Sequence, residues 1–126
     1  METIIQGRHF DITEAIENYV KKKASKLAKY HEKISKIQFT LKIEGQNHIV
    51  ESVCTVKGVV LVAEASNLDM YAAIDLVMDK LEKQFIRLRE KLKQHRNIKS
   101  EELYIEFIMF ADVFFFNHSH RVLLRL

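Results

Sequence analysis

Basic residues are concentrated in two short stretches of the 126-residue chain. Residues 21–36 contain seven lysines and one glutamate, and residues 83–99 contain seven lysines or arginines and one glutamate. A row of cations along a helix can follow the phosphates of a nucleic acid and release their counterions. A solvated helix end is the alternative, because Lys and Arg also suit the negative end of the helix dipole. Two such stretches, in a chain whose overall net charge is +3 at pH 7, favour a polyanionic partner.

Three acidic residues, Asp75, Asp79 and Glu82, recur at helical spacing and could have a role other than phosphate binding. Carboxylates on one helix face can hold a metal ion or act in acid–base catalysis, but no His or Cys joins these three. Ion pairs along the helix, such as Asp79 with Lys83, are the simpler interpretation. The sequence therefore predicts neither a metal site nor a catalytic centre here.

The histidines and aromatic residues give no catalytic pattern either. The six histidines lack zinc-site spacing, and there is no Gly-rich phosphate loop, nucleophile elbow or Cys–His pair. His9, which follows Arg8, could contact a phosphate or a base, and a hydrogen-bonded structural role is its alternative. The sequence predicts a protein that is not an enzyme and needs no cofactor.

The elements that must position the basic residues follow from hydrophobic periodicity. Strands are predicted at 2–8, 36–44, 48–57 and 59–65, and helices at 13–31 and 69–95. Thr13 is a candidate N-cap for the first helix, and Ser66, Asn67 and Asp69 are candidates for the second. The order β-α-β-β-β-α predicts an α+β fold with a four-stranded sheet and two amphipathic helices packed on one face.

Apolar positions within these elements predict the core. In the first helix they are Ile16, Tyr19, Val20, Leu27 and Tyr30, and in the second they are Met70, Ala73, Ile74, Val77, Leu81, Phe85, Leu88 and Leu92. Strand 36–44 alternates, with Ile37, Phe39, Leu41 and Ile43 predicted on the buried face and Gln38, Thr40, Lys42 and Glu44 on the solvent face.

The end of the chain has a different character. We divide the chain into a domain at 1–96 and a short apolar tail at 97–126, whose segment 103–116 is rich in aromatic residues. Its apolar surface needs a partner, and weak self-association through 103–126 is one expectation. No signal peptide or stretch of ~18 apolar residues is visible, so we expect a cytoplasmic protein without a membrane partner.

Three motifs resemble a known family, the ribosome hibernation promoting factors, which are also called ribosome-associated inhibitors or ribosomal subunit interface proteins. The motifs are Gly7–Ile16, Tyr19–Leu27 and, as the most specific of the three, Asn67–Gln84. Together the similarity covers residues 1–95. The tail departs from the family pattern, because it resembles only part of the C-terminal dimerisation domain of long members and lacks their linker.

The resemblance implies a function. Such proteins bind the small ribosomal subunit in the channel used by mRNA and by tRNA, and they inhibit translation under stress or in stationary phase. By position, the residues that would contact ribosomal RNA are Arg8, His9, Lys22, Lys26, Lys29, Lys83, Arg87 and Lys91. The helical cations are predicted to form one edge of the helical layer. A generic double-stranded-RNA-binding module is the alternative function.

Overall fold

The computed structural model describes residues 1–29 and 33–94, and it confirms the α+β class and the element order. The elements are β1 Glu2–Arg8, α1 Glu14–Leu27, β2 Ile34–Glu44, β3 Asn47–Val56, β4 Val59–Asn67 and α2 Met70–Gln94. The strands lie in the order β1-β2-β3-β4. β1 pairs parallel with β2, whereas β2, β3 and β4 form an antiparallel meander.

Both helices pack on one face of this sheet, as predicted. Alternate strand residues such as Phe39 and Leu61 are fully buried beneath the helices. The predicted α2 stripe is buried at Met70, Ala73, Ile74, Val77, Leu81, Phe85 and Leu88. The side chain of Leu92, the last residue of the predicted stripe, lies outside the described part of the chain. Each large side chain buried in this way stabilises the fold by roughly 1.5–3 kcal/mol. The helices are therefore fixed firmly on the sheet and can hold a surface in place.

Thr13 caps α1 as predicted, and Asp69 is the one of the three candidates that caps α2, but α1 is shorter than predicted. The Thr13 hydroxyl accepts a 3.2 Å hydrogen bond from the Ile16 amide, and the Asp69 carboxylate accepts one of 3.2 Å from Ala72. α1 ends at Leu27 rather than at residue 31, because β2 begins early at the buried Ile34 and the chain must reach the sheet. The prediction for Tyr30 lies outside the described residues.

The two helices run parallel to each other. Each follows a strand and returns along the sheet, so both begin at the end where β1 and β4 finish. We call this end of the domain the N-cap end and the opposite one the basic end, since the cationic half of each helix lies there. Within the described residues, no helix is long and apolar enough to cross a bilayer. The tail at 97–126, with its proposed self-association, lies outside them.

The face of the sheet away from the helices differs from the prediction. Thr40 and Lys42 were expected to be exposed, yet each is only 7% exposed. The Lys42 ammonium lies 2.8 Å from Glu51 and 3.4 Å from Glu44, and Gln6 donates a 3.1 Å hydrogen bond to the Thr40 hydroxyl. Alternation placed these side chains on the correct face, but their polar neighbours cover them.

The Lys42 ammonium stays charged despite its burial. Burial by itself lowers the pKa of Lys42, but hydrogen bonds and attraction to Glu51 and Glu44 outweigh it and raise that pKa above its ordinary value. A further correction concerns Ile43, which was predicted on the buried face and is 40% exposed because it lies near the end of β2. Lys42 thus belongs to the structural ion pairs and is separate from the exposed cations.

Candidate nucleic-acid interface

Three exposed lysines lie in the last part of α1 and in the turn that follows it, at the basic end. Lys22, Lys26 and Lys29 are all exposed, and we refer to them as the α1 basic cluster. Lys29 lies two residues beyond the helix, where its amide donates a 3.3 Å hydrogen bond to the Lys26 carbonyl and closes a tight last turn. The cluster presents three charged groups to solvent over a stretch of about two helical turns, a spacing that can follow phosphates.

A groove of about 450 Å³ separates α1 from α2, and we call it the interhelix groove. It is lined by Lys23, Lys26, Leu27, Lys29, Asp75, Met78, Asp79 and Glu82. The carboxylates singled out in the sequence therefore face the lysines of the neighbouring helix, which sequence spacing alone did not indicate. Within the described part of the chain, no group of three or more His, Cys, Asp or Glu side chains could hold a metal ion.

Polar contacts with Asp75 hold the two helices together on the side of this groove nearer the N-cap end. The Tyr19 hydroxyl donates a 2.7 Å hydrogen bond to Asp75 Oδ1, and the Lys23 ammonium lies 3.6 Å from the same oxygen. The rings of Tyr19 and Tyr71 meet edge to face with centroids 4.9 Å apart. The sequence predicted only burial for Tyr19, because a helical period shows that a residue faces inward but not which polar group it meets.

The Tyr19–Asp75 contact predicts a distinct alkaline titration. Donation to Asp75, followed by burial and the nearby negative charge, raises the pKa of Tyr19 from 10.0 to about 12. Because the folded state holds this proton more tightly, the contact stabilises the fold fully below pH 10 and less as the pH rises towards 12. In tyrosinate absorbance, Tyr19→Phe should remove the highest step and Tyr71→Phe should keep it. A curve unchanged by Tyr19→Phe would refute the contact.

The predicted α2 residues form a second group, the α2 basic cluster of Lys83, Arg87 and Lys91. They lie on the flank of α2 above β4, where Lys80 and Gln84 donate 2.7 Å hydrogen bonds to the carbonyls of Glu64 and Val62. These two bonds cover the outer edge of β4 and protect it from pairing with another strand.

Members of the α2 basic cluster differ in exposure. Lys83 is exposed, whereas Arg87 and Lys91 are half-buried. Burial lowers the pKa of Lys80, attraction to Glu64 opposes that shift, and repulsion from Lys83 adds to it. The cluster is therefore a positive surface beside the sheet edge, with Glu64 close to it.

The two clusters share the basic end of the helical layer, but they lie on different sides of α2. Asp79 and Glu82 line the groove on the α1 side of α2, while the α2 basic cluster lies on the opposite flank. The single docking edge therefore stays a prediction. Charge position along the sequence does not reveal which side of α2 turns towards α1, and in the structure carboxylates lie between the two basic surfaces.

Arg8 and His9 lie at the N-cap end, away from both clusters. Arg8 ends β1 beside Lys42, and His9 follows it in the left-handed region with φ of 54°. Both side chains are exposed. α1 has 14 residues and spans about 21 Å, so this pair and the basic ends of the helices are separated by roughly that distance. The structure does not bring these two residues together with the clusters.

Comparison with known proteins gives consistent matches. The family model described as "Sigma 54 modulation protein / S30EA ribosomal protein" matches residues 3–93. The ribosome hibernation promoting factor of Salmonella typhimurium is 42% identical over 95 residues, which are 75% of this chain and 100% of the relative.

Two solved structures share the fold. A ribosomal subunit interface protein from Coxiella burnetii has 30% identity and a TM-score of 0.70, over 72% of this chain and 100% of that one. The N-terminal domain of Thermus thermophilus Protein Y has 32% identity and a TM-score of 0.65, over 70% of this chain and 99% of that one. The chain therefore belongs to the S30EA ribosomal protein family, the family of the ribosome hibernation promoting factors.

Proposed function

We propose that this protein is a ribosome hibernation factor of the cytoplasm that binds the small ribosomal subunit and inhibits translation under stress or in stationary phase. The observation that carries the proposal is family membership over residues 3–93. Relatives with the name ribosome hibernation promoting factor and a structural neighbour described as a ribosomal subunit interface protein support it. The proposed action is binding alone, without a catalytic step or cofactor.

The charge distribution supports RNA as the direct partner. The proposed contacts are Arg8, His9, Lys22, Lys26, Lys29, Lys83, Arg87 and Lys91. Lysine and arginine on the solvent side of helices contact mainly phosphates, so the protein would recognise shape and charge more than base sequence. The two basic clusters flank Asp79 and Glu82, and each cluster would contact a separate segment of the RNA backbone.

The proposed site of binding is the channel of the small subunit that is used by mRNA and by tRNA. A rigid domain held there would exclude both ligands sterically. The firmly packed core and the interhelix contact of Tyr19 with Asp75 supply that rigidity. Inhibition would then follow from occupancy, and it would be reversed when the protein dissociates.

Sedimentation with purified ribosomal particles tests the proposed partner. The protein should pellet with small subunits at low salt and be released as salt rises, because phosphate contacts release counterions. Large subunits and a naked RNA duplex of matched length serve as controls and should bind more weakly. Equal affinity for the naked duplex would favour the generic double-stranded-RNA-binding module. No binding to small subunits at low salt would contradict the proposal.

A further inference from the structure

Two large apolar side chains are exposed around the start of α2. Leu68 is 69% exposed and Tyr71 is 39% exposed. Tyr71 follows Leu68 by three residues, and it lies in the first turn of the helix. Neither residue belongs to the basic clusters, and a solvated helix surface does not need an aromatic ring at this position. This pair is therefore a candidate for contact with a partner.

The Tyr71 ring is held in a fixed position. It meets Tyr19 edge to face, with an angle of 83° between the ring planes. Tyr19 is in turn held by its 2.7 Å hydrogen bond to Asp75, and the Lys23 ammonium lies 5.4 Å from the centre of the Tyr19 ring. A ring restrained in this way loses little conformational entropy when a planar group packs against it.

The acidic residues near Tyr71, Asp69 and Asp75, both have partners within the protein, which reduces their repulsion of an RNA chain. Asp75 is balanced by Lys23 at 3.6 Å and by the Tyr19 hydroxyl. Asp69 accepts a hydrogen bond from the Ala72 amide and so caps the helix. Lys22 is exposed and lies one turn beyond Tyr19 on α1, where it could hold the phosphate of a nucleotide whose base reaches Tyr71.

We propose that Tyr71 stacks against an unpaired base of the bound RNA. This inference rests on the proposed function, and it adds a nucleobase contact to the phosphate contacts already described. Unpaired bases commonly stack on exposed aromatic rings, and such stacking tolerates any base because each has an aromatic face. The ring thus anchors one single-stranded nucleotide at the edge of the helical layer.

Substitutions at Tyr71 test the proposal through the affinity for small subunits and its salt dependence. Tyr71→Leu keeps an apolar contact with Tyr19 but removes the aromatic face, and it should weaken binding about 10-fold, given typical stacking contributions. The slope of log affinity against log salt should stay unchanged, since no phosphate contact is lost. Tyr71→Phe keeps the ring and should bind like the unchanged protein. Thermal unfolding verifies that both variants fold.

Chemical probing of the RNA bases identifies the contact directly. The unchanged protein and Tyr71→Phe should protect one unpaired base that Tyr71→Leu leaves reactive. Tyr71→Leu with full affinity, or with reduced affinity but unchanged protection of every base, would overturn the stacking proposal. If the unchanged protein failed to bind small subunits at all, the proposed function would fall together with this inference.

Discussion

Replacing Lys22, Lys26 and Lys29 with glutamine is expected to weaken binding to small ribosomal subunits about 100-fold at roughly 0.1 M salt. The three side chains are exposed and lie on one side of α1, so each is positioned to neutralise a phosphate. Loss of three such contacts should also reduce the salt slope by about 2 to 3. Affinity would be measured by equilibrium binding of labelled protein over a series of salt concentrations.

A matched control removes the same charge elsewhere. Lys21 pairs with Glu17 at 2.8 Å, Lys36 lies on the sheet face away from the helices, and Lys57 lies in the turn between β3 and β4. Replacing these three lysines with glutamine should leave the salt slope nearly unchanged. Equal losses for the two triple variants would mean that net charge alone drives binding, and the assignment of the α1 basic cluster would be wrong.

Replacing Glu51 with glutamine is expected to lower the free energy of unfolding by about 2 kcal/mol or more. The change removes the negative charge that lies 2.8 Å from the buried Lys42 ammonium, although the glutamine oxygen can still accept its hydrogen bond. Glu44 remains at 3.4 Å but is 56% exposed, so it compensates only in part. This partial compensation keeps the loss below the ~3–5 kcal/mol typical of a fully broken buried pair. Urea denaturation gives the value.

Removing the cation as well provides the control. Adding Lys42→Met to Glu51→Gln removes the uncompensated charge and should restore most of the lost stability. Both variants should bind small subunits as the unchanged protein does, because Lys42 is 7% exposed and serves the sheet rather than RNA. If the double variant were as unstable as Glu51→Gln alone, burial of the Lys42 charge would not be the cause.

Hydrophobic periodicity predicted most of the fold because the core depends on it directly. The α2 stripe from Met70 to Leu88 and the cap at Thr13 were predicted from sequence and are confirmed, and Asp69 was one of three candidates for the α2 cap. The errors occur at positions where the tertiary structure, and not the local sequence, determines the conformation. α1 ends at Leu27 because the chain must then reach the buried Ile34 in β2. No local sequence pattern indicates how many residues this connection needs.

The candidate site was less predictable than the fold. Sequence identified the cationic stretches, but it could not separate Lys42, which is buried by Glu51, from an exposed lysine such as Lys22. It also gave no sign that Tyr19 contacts Asp75, since these residues are 56 positions apart. Which charged residues of the two helices face each other is decided only when the helices lie side by side.

Competition with tRNA tests the central claim most directly. Small subunits carrying mRNA would be incubated with labelled tRNA and increasing amounts of the protein, and retained tRNA would be measured by filter binding. The proposal predicts that the protein displaces tRNA, that excess tRNA reverses the effect, and that the variant lacking Lys22, Lys26 and Lys29 displaces it only at far higher concentration. Simultaneous binding of tRNA and protein to one small subunit would contradict the claim.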